Sequence, residues 1–145
     1  MELKDFKHKI HISVRFSDLD AMGHVNNAAY LSYLEEARIA YFNKVLNIPN
    51  NNLAFGAVIA RIEIDYIKQI RLGDQVEVYT HCARIGNKSS DIENLIVVVE
   101  DGNRKTAAKA VTKLVSFDYS KKISVPVSDD VKNAIQSFEQ SIVKI

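Results

Sequence analysis

One short segment of the chain contains nearly every group that acid, base or oxyanion chemistry requires. It reads SDLDAMGHVNN and spans residues 17–27 of the 145-residue sequence. Its two aspartates, one histidine and two asparagines supply carboxylates, an imidazole and amides in a single connection. Such groups act in enzymes as nucleophiles, general bases and hydrogen-bond donors. This segment is therefore the first candidate for a functional site.

Metal-dependent interpretations of the two aspartates fit the sequence poorly. A calcium-binding EF-hand has oxygen ligands at loop positions 1, 3 and 5 and a glutamate at position 12, but positions 5 and 12 here are Met22 and Ala29. A DxD pair after a strand also occurs in phosphoryl-transfer enzymes with an aspartyl nucleophile and magnesium. Those enzymes have doubly wound α/β sheets, and the sequence lacks the repeating pattern of strand and helix. No spacing among the histidines and the cysteine predicts a metal site either.

Two interpretations of the segment remain open on the residues alone. In the structural one, the aspartates and asparagines shape a turn and cap a helix, since these residue types are preferred at N-caps and tolerate unusual backbone angles. In the catalytic one, Asp20 follows a strand, Gly23 allows the backbone to approach closely, and a helix with partially positive N–H groups begins directly afterwards. A carbonyl oxygen would accept hydrogen bonds from that helix end while the carboxylate reaches its carbon or a water. This order is typical of an acyl-transfer site.

The hydrophobic patterns around the segment predict an α+β fold. Alternation predicts strands and a 3–4-residue period predicts one long helix, followed by Pro49 as a stop. The predicted elements are a strand over Phe6–Phe16, the helix over Ala28–Leu46, strands over Ala57–Lys68, Gln75–Ile85, Asp91–Glu100 and Lys105–Tyr119, and a short C-terminal helix over 126–143 capped by Ser128. We expect the last four strands to form an antiparallel meander and the sheet to curl around the long helix.

The long helix is predicted to have an apolar and a polar face. The apolar positions are Tyr30, Leu34, Ala37, Tyr41 and Val45, and the polar line comprises Ser32, Glu35, Glu36 and Asn43. We therefore expect Glu35 and Glu36 to lie on a solvated or interface face.

Composition excludes several classes of function. The chain has 19 basic and 18 acidic residues and a net charge of +1, so we expect neither a nucleic-acid partner nor a membrane surface. No segment reaches the roughly 18 apolar residues of a membrane span, and no export signal is evident. The single Cys82 cannot form an internal disulfide, which favours a cytoplasmic location. Length and the absence of low-complexity tracts predict one domain over residues 1–145.

The extended segment DLDAMGHVNNAAYLSYLEEAR resembles the acyl-CoA thioesterases of the hotdog fold, in particular the 4-hydroxybenzoyl-CoA thioesterase-like family. The later landmarks IEIDYIKQIRLGDQVEV and RIGNKSSDIENLIV follow at that family's usual spacing, while Gln69 stands where many members have proline. The resemblance covers nearly the whole chain. It implies a hotdog fold, in which a curved five-stranded antiparallel sheet wraps around the long helix. It also implies an acyl-CoA substrate and no separate cofactor, because coenzyme A is part of the substrate.

The resemblance also implies roles for individual residues. The family's catalytic carboxylate falls on Asp20, and the backbone N–H that polarises the thioester carbonyl falls on Asn27, whose side chain we expect to cap the helix. Asp20 then either attacks the thioester carbon to form a mixed anhydride or acts as general base on a water. His24 matches the GHVNN form of the motif and either positions substrate, moves a proton or serves as a hydrogen-bonding strut.

Binding residues and assembly are predicted in the same way. The GNKSS turn supplies candidates for the coenzyme A phosphates, namely Lys88, Ser89 and Ser90. The predicted substrate pocket includes Gly23, Val25 and Tyr66. Because this family pairs its sheet edges across a two-fold axis, we expect a homodimer or homotetramer with sites at the subunit interfaces.

Two alternatives to a thioesterase belong to other classes. A hotdog hydratase or dehydratase acting on acyl thioesters depends on a different Asp/His motif with proline, which this sequence lacks. A non-catalytic acyl-thioester binding protein is disfavoured by the intact Asp20. Some superfamily members carry an essential glutamate on the central helix, so Glu35 and Glu36 are secondary candidates for catalysis.

Overall fold

The computed structural model describes residues 1–48 and 56–140, together with the backbone of Val143–Lys144. The elements are β1 (His8–Ser13), α1 (Asn27–Val45), β2 (Ala57–Tyr66), β3 (Gln75–Ile85), β4 (Ser89–Glu100), β5 (Asn103–Asp118), β6 (Ile123–Ser124), α2 (Asp129–Glu139) and β7 (Val143–Lys144). Ser128 caps α2 as predicted, while Pro49 lies outside the described residues. Within these residues, no helix combines the length and hydrophobicity that a bilayer span requires.

The five long strands form one sheet in the order β1, β3, β4, β5, β2, and every neighbouring pair is antiparallel. The predicted meander is correct for β3, β4 and β5 but wrong for β2, which pairs with β5 rather than β3. Alternating hydrophobicity identifies a strand without identifying its neighbour, and β5 is long enough to pair along both of its edges. The outer edge of β2 has no partner strand in the part of the chain that the structure describes.

The sheet curls around α1, and the predicted apolar face of the helix lies in the core. Leu34, Ala37 and Tyr41 are fully buried, whereas Glu35 and its neighbour Glu36 are exposed as predicted. Asn43 was expected on the polar face but is buried. The Ile48 N–H donates to the Asn43 carbonyl at 3.1 Å, so the segment after the helix lies against its last turn.

β1 is shorter than predicted because Phe6 and Phe16, at the two ends of the predicted strand, lie outside it. Phe6 packs with Tyr79, Leu95 and Val97 in a cluster separate from the one around α1. Phe16 lies in a short 3-10 helix, Phe16–Asp18, and is 80% exposed. Strict alternation therefore holds only within β1 itself.

A buried carboxylate connects β1, β3 and the beginning of β5. Glu77 on β3 is 1% exposed and accepts hydrogen bonds from Lys9 Nζ at 2.7 Å, Arg104 Nε at 2.7 Å and the Tyr79 hydroxyl at 2.9 Å. Burial alone would raise the pKa of Glu77, but the hydrogen bonds from Arg104, Lys9 and Tyr79 outweigh it and lower the pKa to about 2. The ionised form is therefore bound more favourably in the folded state than in the unfolded one.

This network predicts a specific pH dependence of stability. Because the folded pKa of Glu77 lies below the unfolded value of roughly 4.3, its contribution is complete above that value and is lost as pH falls towards 2. We expect Glu77→Gln to lower the free energy of unfolding by about 2 kcal/mol at neutral pH and by about half of that at pH of about 3. Urea denaturation at both pH values measures the difference, with the exposed Glu36→Gln as control. An equal deficit at both pH values would contradict the assignment.

Candidate active site

The two aspartates of the DxD segment have different surroundings. Asp18 is buried, and its Oδ2 accepts hydrogen bonds from the Arg15 N–H at 2.9 Å and the Tyr33 hydroxyl at 2.8 Å. Burial opposes ionisation, but these hydrogen bonds outweigh it and hold the pKa of Asp18 below its usual value. Its carbonyl also accepts the Asn26 N–H at 2.7 Å. Asp18 therefore joins the loop to α1 and is not available for reaction.

Asp20 lies on the exposed side of the same loop. Its Oδ1 accepts the backbone N–H groups of Met22 at 2.8 Å and His24 at 3.2 Å, and its own N–H donates to the His24 carbonyl at 2.7 Å. Among the described residues, none donates a hydrogen bond to Asp20 Oδ2. Gly23 closes this turn with φ of 79°, a conformation that favours glycine. One oxygen of the carboxylate is therefore fixed while the other remains available.

The helix begins directly after this turn. Asn26 has extended backbone angles, and its side-chain oxygen accepts the Ala28 N–H at 2.9 Å, so Asn26 is the N-cap and the expectation that the Asn27 side chain caps the helix is wrong. The Asn26 carbonyl also accepts the Ala29 N–H. The Asn27 N–H, the first of the helix, donates to no acceptor in the described part of the chain. The helix thus has one unpaired N–H at its positive end.

Asp20 and Asn27 line the same cavity. This cavity has a volume of about 510 Å³ and is lined by Asp20, His24, Val25, Asn27, Tyr30, Tyr66, Ile67, Lys68 and Gln69. It therefore brings together five of the residues singled out in the sequence. Gly23 lies in the loop beside the cavity, and apart from its own chain neighbours no described residue has an atom within 4 Å of the point where a Cβ would stand.

Tyr66 connects the end of β2 to the helix start. Its hydroxyl donates to the Asn27 carbonyl at 3.1 Å, and its ring meets the Tyr30 ring edge to face at a centroid distance of 5.0 Å. The ring is 48% exposed, so it forms a wall of the cavity rather than part of the core. Tyr66 therefore restrains the first turn of α1 from the side of the sheet.

Sequence reasoning did not find four residues of the cavity wall. Tyr30 was assigned to the core face of the helix, and Ile67, Lys68 and Gln69 fall within the landmark IEIDYIKQIRLGDQVEV but received no role in the site. They reach the site because the Val25 N–H donates to the Ile70 carbonyl at 2.7 Å, which holds the segment after β2 against the loop. Long-range contacts of this kind identify them, and the Tyr30 hydroxyl likewise donates to the Lys68 carbonyl at 3.4 Å.

The predicted coenzyme A residues lie elsewhere in the same chain. Ser90 pairs with Leu114 of β5, while Tyr66 pairs with Ala108 of the same strand. At roughly 3.3 Å per residue, the GNKSS turn therefore lies about 20 Å along the sheet from the cavity. Within one chain, the structure does not bring Lys88 and its neighbouring serines to Asp20. No group of three potential metal ligands occurs among the described side chains.

The fold and this site define a thioesterase-type architecture, and comparison with known proteins agrees. The family model described as the thioesterase-like superfamily matches residues 14–135. This chain belongs to the thioesterase-like superfamily. The match begins directly after β1 and covers the loop, α1 and the strands β2, β3, β4 and β5, and it confirms the relationship that the sequence motifs predicted.

Solved structures confirm the hotdog fold. A thioesterase from Thermus thermophilus, crystallised with coenzyme A and zinc, has a TM-score of 0.85 and 33% identity, with 97% of this chain and 100% of that chain covered. The 4-hydroxybenzoyl CoA thioesterase from Pseudomonas sp. strain CBS-3 has a TM-score of 0.78 at 18% identity, covering 88% of this chain and 97% of that one. At this identity the second likeness concerns the fold alone.

Two curated bacterial proteins are similar in sequence. The long-chain acyl-CoA thioesterase FadM of Escherichia coli (strain K12) is 27% identical over 128 residues, which are 86% of this chain and 94% of FadM. The uncharacterized protein YsmA of Bacillus subtilis (strain 168) is 36% identical over 84 residues. That similarity spans 58% of this chain and only 56% of YsmA.

The N-cap assignment can be tested with two neighbouring asparagines. We expect Asn26→Ala to lower the free energy of unfolding by about 1 kcal/mol, because the Ala28 N–H loses its acceptor. Asn27→Ala is the matched control, since its exposed side chain caps nothing, and it should change stability by less than about 0.5 kcal/mol. Chemical denaturation of both variants measures this. A larger loss in Asn27→Ala than in Asn26→Ala would reverse the assignment.

Proposed function

We propose that this protein is an acyl-CoA thioesterase in which Asp20 supplies the catalytic carboxylate and the Asn27 N–H the oxyanion donor. Its superfamily and named relatives identify the chain as a thioester hydrolase. FadM is named a long-chain acyl-CoA thioesterase, and the Thermus thioesterase was crystallised with coenzyme A, which supports coenzyme A as the carrier. The observation that carries the site assignment is that Asn27, whose N–H has no acceptor among the described residues, lines the same cavity as Asp20.

The fixed geometry of Asp20 suits two routes of hydrolysis. In the first, Oδ2 forms a bond to the thioester carbon, the C–S bond breaks with release of the thiolate, and water then hydrolyses the mixed anhydride. In the second, Oδ2 takes a proton from a water whose oxygen attacks the same carbon, and the departing thiolate recovers a proton. Both routes need one carboxylate oxygen directed into the cavity. The hydrogen bonds from Met22 and His24 to Oδ1 support that orientation.

Negative charge develops on the carbonyl oxygen in both routes. An N–H at the beginning of a helix is a suitable donor because its own partner is missing and the helix dipole is positive there. One preorganised oxyanion donor contributes about 2.7 to 4 kcal/mol to transition-state stabilisation. The Tyr66 hydroxyl supports this role by bonding the Asn27 carbonyl and restraining the same residue.

We assign His24 a positioning role. Its backbone N–H donates to Asp20 Oδ1 and its carbonyl accepts the Asp20 N–H, so residue 24 holds the carboxylate through its main chain. Its side chain forms part of the cavity wall with Val25 and Tyr66, which we propose to contact the acyl-thioester group.

The site is proposed to function in a homodimer or a dimer of dimers. The outer edge of β2 lacks a partner strand in the described chain, and Ile59 on it is 47% exposed. A two-fold axis at Ile62 would pair two such edges antiparallel and place Arg61 of one subunit opposite Glu63 of the other. The GNKSS turn of one subunit would then lie towards the Asp20 cavity of its partner. We propose that Lys88, Ser89 and Ser90 bind the coenzyme A phosphates in that arrangement.

The catalytic carboxylate can be tested by Asp20→Asn. The amide retains an acceptor for the loop N–H groups but is neither a nucleophile nor a base, so we expect a loss of at least about 10³-fold in kcat for acyl-CoA hydrolysis. Thiol release from a panel of acyl-CoAs measures it, with Glu35→Gln as the matched control on α1. Near wild-type turnover of Asp20→Asn would refute the assignment. A loss confined to Glu35→Gln would instead indicate the helix glutamate.

The oxyanion donor can be removed without changing a side chain that the site uses. Proline is well tolerated at the first position of a helix, and Asn26 already has the extended angles that precede proline. We therefore expect Asn27→Pro to fold and to lose about 10²- to 10³-fold in kcat, because it lacks the N–H. Asn27→Ala keeps the N–H and should retain turnover. Equal turnover of the two variants would show that this N–H contributes nothing.

A further inference from the structure

Tyr33 lies in the second turn of α1, outside the wall of the Asp20 cavity. Its side chain is 3% exposed and belongs to the hydrophobic cluster around the helix, where a phenylalanine ring would pack equally well. We propose that Tyr33 is a positioning residue for thioester hydrolysis, and that its hydroxyl sets the place of the Asp20 carboxylate relative to the Asn27 N–H. This inference rests on the proposed function and assigns control of that site to a residue of the core.

The Tyr33 hydroxyl donates to the Asp18 carboxylate. The distance from the hydroxyl to Asp18 Oδ2 is 2.8 Å, and both residues are buried. A buried hydroxyl needs a partner, and a charged acceptor gives a stronger hydrogen bond than a neutral one. Burial and the hydrogen bond to Asp18 raise the pKa of Tyr33, so the hydroxyl remains a donor at neutral pH.

Asp18 is bonded to both ends of the loop that precedes α1. Its Oδ2 also accepts the Arg15 N–H at 2.9 Å at the beginning of the loop, and its carbonyl accepts the Asn26 N–H at 2.7 Å at the end. Asp20 lies two residues after Asp18, and Asn27 comes directly after Asn26. A displacement of Asp18 therefore changes the position of the Asp20 carboxylate relative to the first N–H of the helix.

The turn between these ends has its own hydrogen bonds. Leu19 and Val25 pair antiparallel, and the Asp20 N–H donates to the His24 carbonyl at 2.7 Å. Because these bonds are short-range, they fix the shape of the turn but not its orientation against α1. That orientation depends on the ends of the loop, which the helix holds through the Tyr33 hydroxyl.

A positioning role has a distinct kinetic signature. Hydrolysis needs the carboxylate and the oxyanion donor at the same thioester group, and a misplacement of about 1 Å costs on the order of 100-fold in rate. Tyr33 does not line the cavity, so its loss should leave the binding of substrate nearly unchanged. We therefore expect kcat to fall while KM stays nearly constant.

The first experiment compares two buried tyrosines of the same helix. Tyr33→Phe keeps the ring, and we expect kcat for acyl-CoA hydrolysis to fall about 10- to 100-fold with KM within about threefold of the wild type. Tyr41→Phe is the matched control, because the Tyr41 hydroxyl also donates to a buried carboxylate, Glu139 Oε1, at 2.6 Å. Tyr41 is about 21 Å along α1 from Asn27, so its variant should keep wild-type kcat. Circular dichroism melting checks that both variants are folded.

The second experiment tests whether the effect of Tyr33 depends on Asp18. It compares the kcat values of Tyr33→Phe, Asp18→Asn and the double variant. Two residues that act through one hydrogen bond have non-additive effects, so the double variant should have the kcat of Asp18→Asn alone.

A third measurement needs no turnover. The backbone N–H groups of Met22 and His24 donate to Asp20 Oδ1, so their amide signals in NMR spectra depend on the position of that carboxylate. We expect both signals to shift in Tyr33→Phe and to keep their wild-type positions in Tyr41→Phe.

The outcomes separate this inference from the proposed function. Wild-type kcat in Tyr33→Phe, or an equal fall in Tyr41→Phe, would overturn the positioning role. A double variant whose loss is the product of the two single losses would overturn the connection through Asp18. Absence of acyl-CoA hydrolysis in the wild type would refute the proposed function instead, and the amide signals of Met22 and His24 would then decide whether Tyr33 positions Asp20.

Discussion

The hydrogen bond from the Tyr33 hydroxyl to the buried Asp18 carboxylate holds the reactive loop against α1, and the geometry of the site depends on it. The same carboxylate accepts the Arg15 N–H, and the Asp18 carbonyl accepts the Asn26 N–H, so both ends of the loop are fixed at one residue. With these ends held, the turn between them has little freedom. The Asp20 carboxylate and the first N–H of the helix are therefore placed in relation to each other before any substrate arrives.

Burial separates the roles of the two aspartates in the motif. The Asp18 carboxylate accepts internal hydrogen bonds and stays ionised in the protein interior, where it holds the loop in place. Asp20 is exposed, and only one of its oxygens is bound by the loop. The asparagines divide in the same way, since Asn26 caps the helix with its side chain and Asn27 leaves its backbone N–H unpaired. In each pair, one residue builds the turn and the other faces the cavity.

β2 lies at the edge of the sheet, and its two ends line different cavities. β2 begins at an apolar cavity and ends at the polar one that contains Asp20. Because the outer edge of β2 is unpaired in the described chain, β2 of a second copy can pair with it. Antiparallel pairing would place the beginning of one β2 strand beside the end of the other. One strand thus accounts for the proposed assembly and for the distance between the GNKSS turn and the site.

The sequence by itself determined the features that depend on neighbouring residues. Alternation and helical period predicted the long strands and α1, and the residue type of Ser128 predicted the cap of α2. The spacing within SDLDAMGHVNN predicted that a carboxylate would precede a helix end. Tertiary structure decided the rest. The partner of β2, the burial of Asn43 and the approach of Lys68 and Gln69 to the cavity all depend on residues distant in sequence. A hydrophobic pattern records that a face is buried but not what covers it, so only the folded chain could assign those contacts.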